Sequence, residues 1–126
     1  MQPSFRSIIL ATGLLAITSA FAQTPSKPTI TRVMATLTVN DGVARDQIQK
    51  IMPSEVRDTV QLYLDGRIEQ WYARGDGKGV IFILDCKTAD EAKALTDTLP
   101  LVKAKLVTFE YMPIGPLAPL RYLMGK

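Results

Sequence analysis

The chain of 126 residues contains no histidine and a single cysteine, Cys86. Without histidine, Ser-His and Cys-His nucleophilic schemes, His-ligated zinc or iron and His-ligated haem are excluded. One cysteine allows no internal disulfide, although small exported domains often depend on such bridges. Cys86 ends an apolar stretch and is interpreted as a packed side chain rather than a redox thiol. We therefore expect no metal or haem held by histidine, and a stability that comes from the core or from oligomerisation.

An excess of one charge is also lacking, since 15 Lys and Arg are interleaved with 12 Asp and Glu. No basic stripe stands out that would indicate binding to nucleic acid or to an acidic membrane surface. We therefore expect no nucleic-acid partner.

The N-terminal segment has the pattern of a secretory signal peptide. Arg6 precedes an uncharged apolar run at residues 8–17, and Ala20 and Ala22 supply the small residues of a cleavage site. The run is shorter than the ~20 residues that a spanning helix needs, so cleavage after Ala22 is favoured over an uncleaved anchor. We predict a signal peptide at residues 1–22, a flexible lead-in at 23–30 and one domain at 31–126. The mature protein is then periplasmic or secreted, with no stable membrane insertion.

The periodicity of the remaining chain predicts the element order βαββαβ. Strands are expected at residues 30–39, 67–74, 80–84 and 105–112, with a Gly-rich hairpin loop, rather than a phosphate loop, at 75–79. Residues 45–64 have apolar side chains at spacings of three and four, which indicates a helix. Pro53 predicts a break or kink in it, after which Ser54 caps a new start, and Gly66 ends it. Thr88 and Glu91 form a capping box for a second helix that reaches about residue 98.

This order predicts an α+β, ferredoxin-like fold in which two helices cover one face of a four-stranded antiparallel sheet. The third strand, VIFIL at residues 80–84, is apolar on both faces, whereas a strand with one wet face should alternate. We therefore expect a partner subunit to cover the second face, giving a homodimer with a barrel-like shared interior. The Pro-rich tail at residues 113–120 is predicted to be neither strand nor helix and to lie across a subunit.

Several features of residues 67–101 resemble the muconolactone isomerase family of dimeric α+β barrels. They are Trp71 in the second strand, an apolar strand ending at Asp85, an acidic-capped helix with Leu95, and the Leu-Pro-Leu exit at residues 99–101. The resemblance extends over most of residues 31–112. It implies the βαββαβ fold, an oligomer built from dimers, and a pocket between the sheet and the partner. It also implies isomerisation of an unsaturated lactone by moving a proton and a double bond, with no metal or organic cofactor.

A proton-shuttling isomerase without histidine needs a carboxylate of raised pKa, or Tyr or Lys, as its base. Glu110 on the fourth strand and Glu69 on the second are the candidate catalytic bases. Alternation nevertheless favours a solvent-facing Glu110, opposite in direction to its neighbours Phe109 and Tyr111. Glu69 is expected to share a face of its strand with Trp71.

Five further residues are candidates for substrate binding. A guanidinium suits a substrate carboxylate, and Trp71 and Tyr72 point to opposite faces, so that one packs under the helices and the other lines a cavity. The charged members also fit an ordinary solvated surface. The five residues are Trp71, Tyr72, Arg74, Arg57 and Glu55.

Two functions therefore stay open at the level of sequence. The first is an exported enzyme that isomerises a small unsaturated lactone or organic acid by proton transfer. The second is a non-catalytic dimeric module that binds a small ligand or a partner. An enzyme needs a carboxylate and a cationic or hydroxyl group that converge in a cavity, whereas a binder can be lined by apolar groups alone.

Overall fold

A computed structural model of the chain describes Gly13 and residues 27–117. The predicted signal peptide and its cleavage site, and the end of the tail from residue 118, lie outside the described residues. None of the described helices is long and apolar enough to cross a membrane.

The described chain forms a four-stranded antiparallel sheet with helices on one face, as predicted. The strands are β1 (Arg32–Val39), β2 (Ile68–Ala73), β3 (Val80–Leu84) and β4 (Val107–Ile114). The helices are α1 (Arg45–Leu64), α2 (Ala89–Thr96) and α3 (Pro100–Lys103). The spatial order β2-β3-β1-β4 leaves β2 and β4 at the edges, which is the ferredoxin-like arrangement.

Strand alternation divides the sheet into a helix face and an open face. Val33, Ala35 and Leu37 of β1 are buried on the helix face, where Phe82 and Leu84 of β3 pair with that strand. The open face carries the alternate side chains, which are mostly half-buried or exposed: Met34, Thr36, Thr38, Gln70, Tyr72, Ile81, Ile83, Thr108, Glu110 and Met112. Both parities of β3 are apolar, but only the helix face is covered within the described chain.

Helix α1 corrects the prediction of a break at Pro53. The helix is continuous from Arg45 to Leu64, with Pro53 inside it. Ser54 does not cap a new start, because its hydroxyl donates to the Ile51 carbonyl at 2.9 Å. A hydroxyl bond to a carbonyl one turn back is a known alternative for Ser within a helix. Gly66 closes α1 with φ +75°, the left-handed conformation that Gly adopts at little cost, as predicted.

The capping box of α2 is present, although it reaches one residue further back than predicted. The Glu91 N–H donates to Thr88 Oγ1 at 3.1 Å, while the Glu91 carboxylate accepts from the Lys87 N–H at 3.0 Å. The Leu-Pro-Leu exit begins α3, with Leu99 at its N-cap and Pro100 in its first turn. Proline is suited to that position because its missing N–H would have no helical partner there.

The tail prediction is wrong for its first two residues. Pro113 and Ile114 belong to β4, where they pair with Val33 and Arg32 of β1. Because β4 is an edge strand, a proline there removes no hydrogen bond that a further strand would need.

Candidate functional site

The one buried residue of α1 is a glutamate. Glu55 is 6% exposed, whereas several apolar residues of the same helix are more than a third exposed: Met52, Val56, Val60, Tyr63 and Leu64. The helix therefore stands off the sheet over part of its length instead of burying its apolar stripe. The gap beneath it is a cavity of about 520 Å³.

The cavity is bounded by α1, the helix face of the sheet and the hairpin loop. Trp71 lines it and stacks on Tyr63 of α1, with ring centroids 4.3 Å apart and planes 16° from parallel. Gly77 and Gly79 of the hairpin also border it. The sheet side is formed by apolar residues: Leu37, Val39, Ala73, Val80 and Phe82.

Glu55 joins α1 to α3 at the inner wall of this cavity. Its Oε2 accepts the Leu101 N–H at 2.8 Å, a donor in the first turn of α3. Burial raises the pKa of the Glu55 carboxyl above its ordinary value of 4.5, the Leu101 hydrogen bond opposes this rise, and the nearby Asp58 charge adds to it. Thr59 also lines the cavity, one helical turn beyond Glu55, so a carboxyl and a hydroxyl share one face of the helix.

The two predicted catalytic carboxylates do not lie in this cavity. Glu110 is exposed on the open face opposite Thr36, whereas Phe109 packs against the core on the helix face. This is the arrangement that strand alternation favoured. Glu69 contacts Arg32 Nε at 2.5 Å. A β-bulge between Ile68 and Gln70 overturns the prediction that Glu69 shares a face with Trp71, because the extra residue reverses the alternation.

The predicted arginines are also outside the cavity lining. Arg74 donates to Thr38 Oγ1 at 2.6 Å and to Asp76 Oδ2 at 2.5 Å, so it fastens the hairpin to β1. Arg57 is an exposed residue of α1. Neither guanidinium is therefore placed to bind a substrate carboxylate in the cavity.

The two aromatic candidates border the cavity from opposite faces of β2. Trp71 pairs with Phe82 and lies on the helix face, whereas Tyr72 pairs with Ile81 on the open face. The Tyr72 hydroxyl donates to Gln70 Oε1 at 2.8 Å, which directs it away from the helices. The sequence predicted this division but left open which ring lies under the helices.

Cys86 is not among the residues that line this cavity. Cys86 is buried in the main core, where burial raises the pKa of its thiol. A thiol of raised pKa carries little reactive thiolate at neutral pH, which agrees with a packed side chain. Within the part of the chain that the structure describes, no group of three potential metal ligands is found.

The sequence pattern offered Glu55 as a substrate contact, with a solvated surface charge as the alternative, and it did not indicate Thr59. The available clue was spacing, since Glu55 and Thr59 fall among Ile51, Met52 and Val56 on the apolar stripe of α1. No protein-family model matches the chain, and no curated protein matches it.

Replacing Glu55 by Gln should change how stability depends on pH. Because the folded-state pKa is raised, Glu55 contributes stability that is fully present below pH 4.5 and is lost as pH rises through the folded pKa. The free energy of unfolding of the wild type should therefore fall relative to Glu55→Gln as pH increases. Urea denaturation of both proteins at one chain concentration over a pH series measures this; a difference that grows in favour of the wild type contradicts it.

Proposed function

We propose that the protein binds a small unsaturated lactone or related organic molecule in the cavity under α1 and moves a proton on it with Glu55. The observation that supports this is a buried carboxylate in an otherwise largely apolar cavity, with the Thr59 hydroxyl one turn away. These are the two kinds of group that an enzymatic cavity was expected to bring together. The resemblance to muconolactone isomerases adds support, since that chemistry needs neither metal nor organic cofactor.

The proposed reaction needs no reactant besides the lactone, because Glu55 moves one proton from one carbon of the lactone to another. The Glu55 carboxylate takes a proton from the carbon next to the lactone carbonyl, and the electron pair of that C–H bond forms a dienolate. The carboxyl then returns the proton to the far end of the conjugated system, so the double bond shifts and Glu55 is regenerated. The Thr59 hydroxyl is the donor that we assign to the enolate oxygen, where negative charge develops.

Burial of Glu55 serves this chemistry because a carboxyl of raised pKa is a stronger base than an ordinary one. Since the base must be ionised, the rate should increase with pH until Glu55 is fully deprotonated. The rate therefore rises with pH, whereas the contribution of Glu55 to the free energy of unfolding falls with pH.

Deuterium incorporation tests the proposal. Purified protein is incubated in D₂O with a panel of unsaturated lactones and organic acids, and label at the exchangeable carbons is followed by NMR. Protein-dependent exchange supports the proposal, and binding without exchange of any ligand supports the second function, a non-catalytic binding module. That alternative is favoured by the Leu101 hydrogen bond, which gives Glu55 a structural role in holding α3.

We also propose that the protein is a homodimer, exported to the periplasm or beyond after cleavage behind Ala22, and that two open faces pack together. The support is the doubly apolar strand β3, whose Ile81 and Ile83 lie on the open face beside Met34. A charge placed there would be buried without a partner, at a cost of several kcal/mol.

The variant Ile83→Glu should therefore shift the protein from dimer to monomer at micromolar concentration. Sizing with light scattering measures the change. Ala94→Glu adds the same charge at an exposed position of α2 and should leave the dimer intact. A wild type that is already monomeric, or an Ile83→Glu variant that remains dimeric, would count against pairing through this face.

A further inference from the structure

We infer that the cavity binds neutral, planar ligands in preference to carboxylate-bearing ones. This inference rests on the proposed function, whose substrate class it narrows from lactones and organic acids to uncharged lactones or similar ring carbonyls. The geometry that points to it is the set of charges around the cavity and the orientation of its aromatic wall.

Among residues 27–117, those that line the cavity include no lysine and no arginine. Glu55 is the one charged residue among them, and the other ionisable group, the Tyr72 phenol, donates to Gln70. An anionic ligand would therefore lose water and face a carboxylate, with no cation in the lining to compensate. Burying a charge without a partner is strongly unfavourable.

The charged groups of the surrounding elements do not change this balance. On α1 the charge that acts on Glu55 is that of Asp58, which is also negative. On α3 the group that faces Glu55 is the Leu101 N–H, and Lys103 is exposed. In the β2–β3 hairpin, Arg74 is held by Asp76, whose carboxylate also accepts the backbone N–H of Lys78 at 2.9 Å. Lys78 itself is exposed and is not among the lining residues, so water screens the charge of its ammonium.

The shape of the wall favours a flat ligand. The ring of Trp71 is fixed by its stack on Tyr63, and Phe82 lies opposite Trp71 in the register of β2 and β3. Fixed aromatic rings bind planar unsaturated ligands through offset stacking and dispersion. A planar lactone that contacts this wall lies in a cavity whose described lining has one charged side chain, that of Glu55.

The exclusion of anions is expected to be partial because one side of the cavity is open. Met52, Val56 and Val60 on the rim are 41%, 52% and 37% exposed. A ligand carboxylate at this rim keeps part of its hydration, which lowers the cost below that of complete burial. We expect discrimination of at least about tenfold in Kd, which corresponds to about 1.4 kcal/mol.

Three butenolides that carry a methyl, a carboxymethyl or an aminomethyl group on the same ring test the inference. Trp71 is the only tryptophan of the chain, so quenching of its fluorescence reports binding at the cavity wall. The wild type should bind the methyl compound most tightly and the carboxymethyl compound at least about tenfold more weakly. Val60→Lys, which adds a cation at the rim, should close or reverse this difference, whereas its uncharged counterpart Val60→Gln should preserve it.

The possible failures are distinguishable. If the carboxymethyl compound binds as tightly as the methyl compound, the charge inference is wrong while the proposed ligand cavity stands. Tightest binding of the aminomethyl compound overturns the inference in favour of a cationic ligand for Glu55. If none of the three compounds quenches Trp71, both the inference and the proposed function fail.

Discussion

Glu55→Gln should reduce the rate of proton exchange on the substrate by about a hundredfold to ten-thousandfold, the usual contribution of a general acid–base group. The amide cannot accept and return a proton in the way that the carboxylate does. Its oxygen can still accept the Leu101 N–H, which in the wild type lies 2.8 Å from Oε2. The variant should therefore remain folded and bind a neutral ligand while losing exchange.

Glu55→Ala separates the structural role of this side chain from the chemical one. It removes the acceptor of a buried N–H as well as the base, so both stability and exchange should decrease. Leaving a buried donor unpaired costs about 1–3 kcal/mol. A variant with this loss of stability confirms that Glu55 holds α3, whereas an unchanged free energy of unfolding indicates that water replaces it.

Glu110→Gln is the matched control for the chemical role. It makes the same substitution at an exposed carboxylate on the open face, which the sequence pattern had offered as a base. The exchange rate should be unchanged in Glu110→Gln and strongly reduced in Glu55→Gln, as measured by deuterium incorporation with both proteins at equal concentration. The reverse result would move the reaction from the cavity to the open face of the sheet.

Gly79→Ala should be among the most destabilising single substitutions in the chain. A Cβ at Gly79 would lie 2.0 Å from the Leu37 carbonyl oxygen and 2.9 Å from its carbonyl carbon. Both are backbone atoms of β1, which lies between β3 and β4 and has no room to retreat. The hairpin must therefore shift, which strains the Val39 N–H bond to the Lys78 carbonyl at 3.0 Å.

We expect Gly79→Ala to lower the free energy of unfolding by about 3 kcal/mol, the upper part of the usual range for a point substitution. Gly75→Ala is the control in the same loop, because a Cβ there meets no atom within 4 Å. That variant should change stability by no more than about 0.5 kcal/mol. Urea denaturation measures both variants, and equal midpoints would contradict the close approach of the hairpin to β1.

Local sequence patterns predicted the elements of this fold well. The bounds of β3, the glycine that ends α1 and the threonine that caps α2 each depend on a few neighbouring residues, and the structure confirms all three. The alternation of β4 also placed Glu110 on the exposed side. Such features follow from backbone geometry and local hydrogen bonds, so a short stretch of sequence contains the information that sets them.

Longer-range packing decided the features that the sequence left open or predicted wrongly. Pro53 does not break α1. Pro113 continues β4 because β4 is an edge strand, where the missing N–H of proline costs no hydrogen bond to a further strand. A bulge turned Glu69 away from Trp71, which no alternation rule along β2 reveals. In each case the outcome depends on what lies beside the residue in space.

The sequence by itself determined the ferredoxin-like order of elements, the absence of histidine chemistry and the apolar character of β3. Only the tertiary structure showed that α1 stands off the sheet and that its one buried side chain is Glu55. The physical reason is that periodicity gives the direction of a side chain but not the distance to the opposing surface. Because α1 stands off the sheet, Glu55 on its apolar stripe lines a cavity instead of being a solvated surface charge.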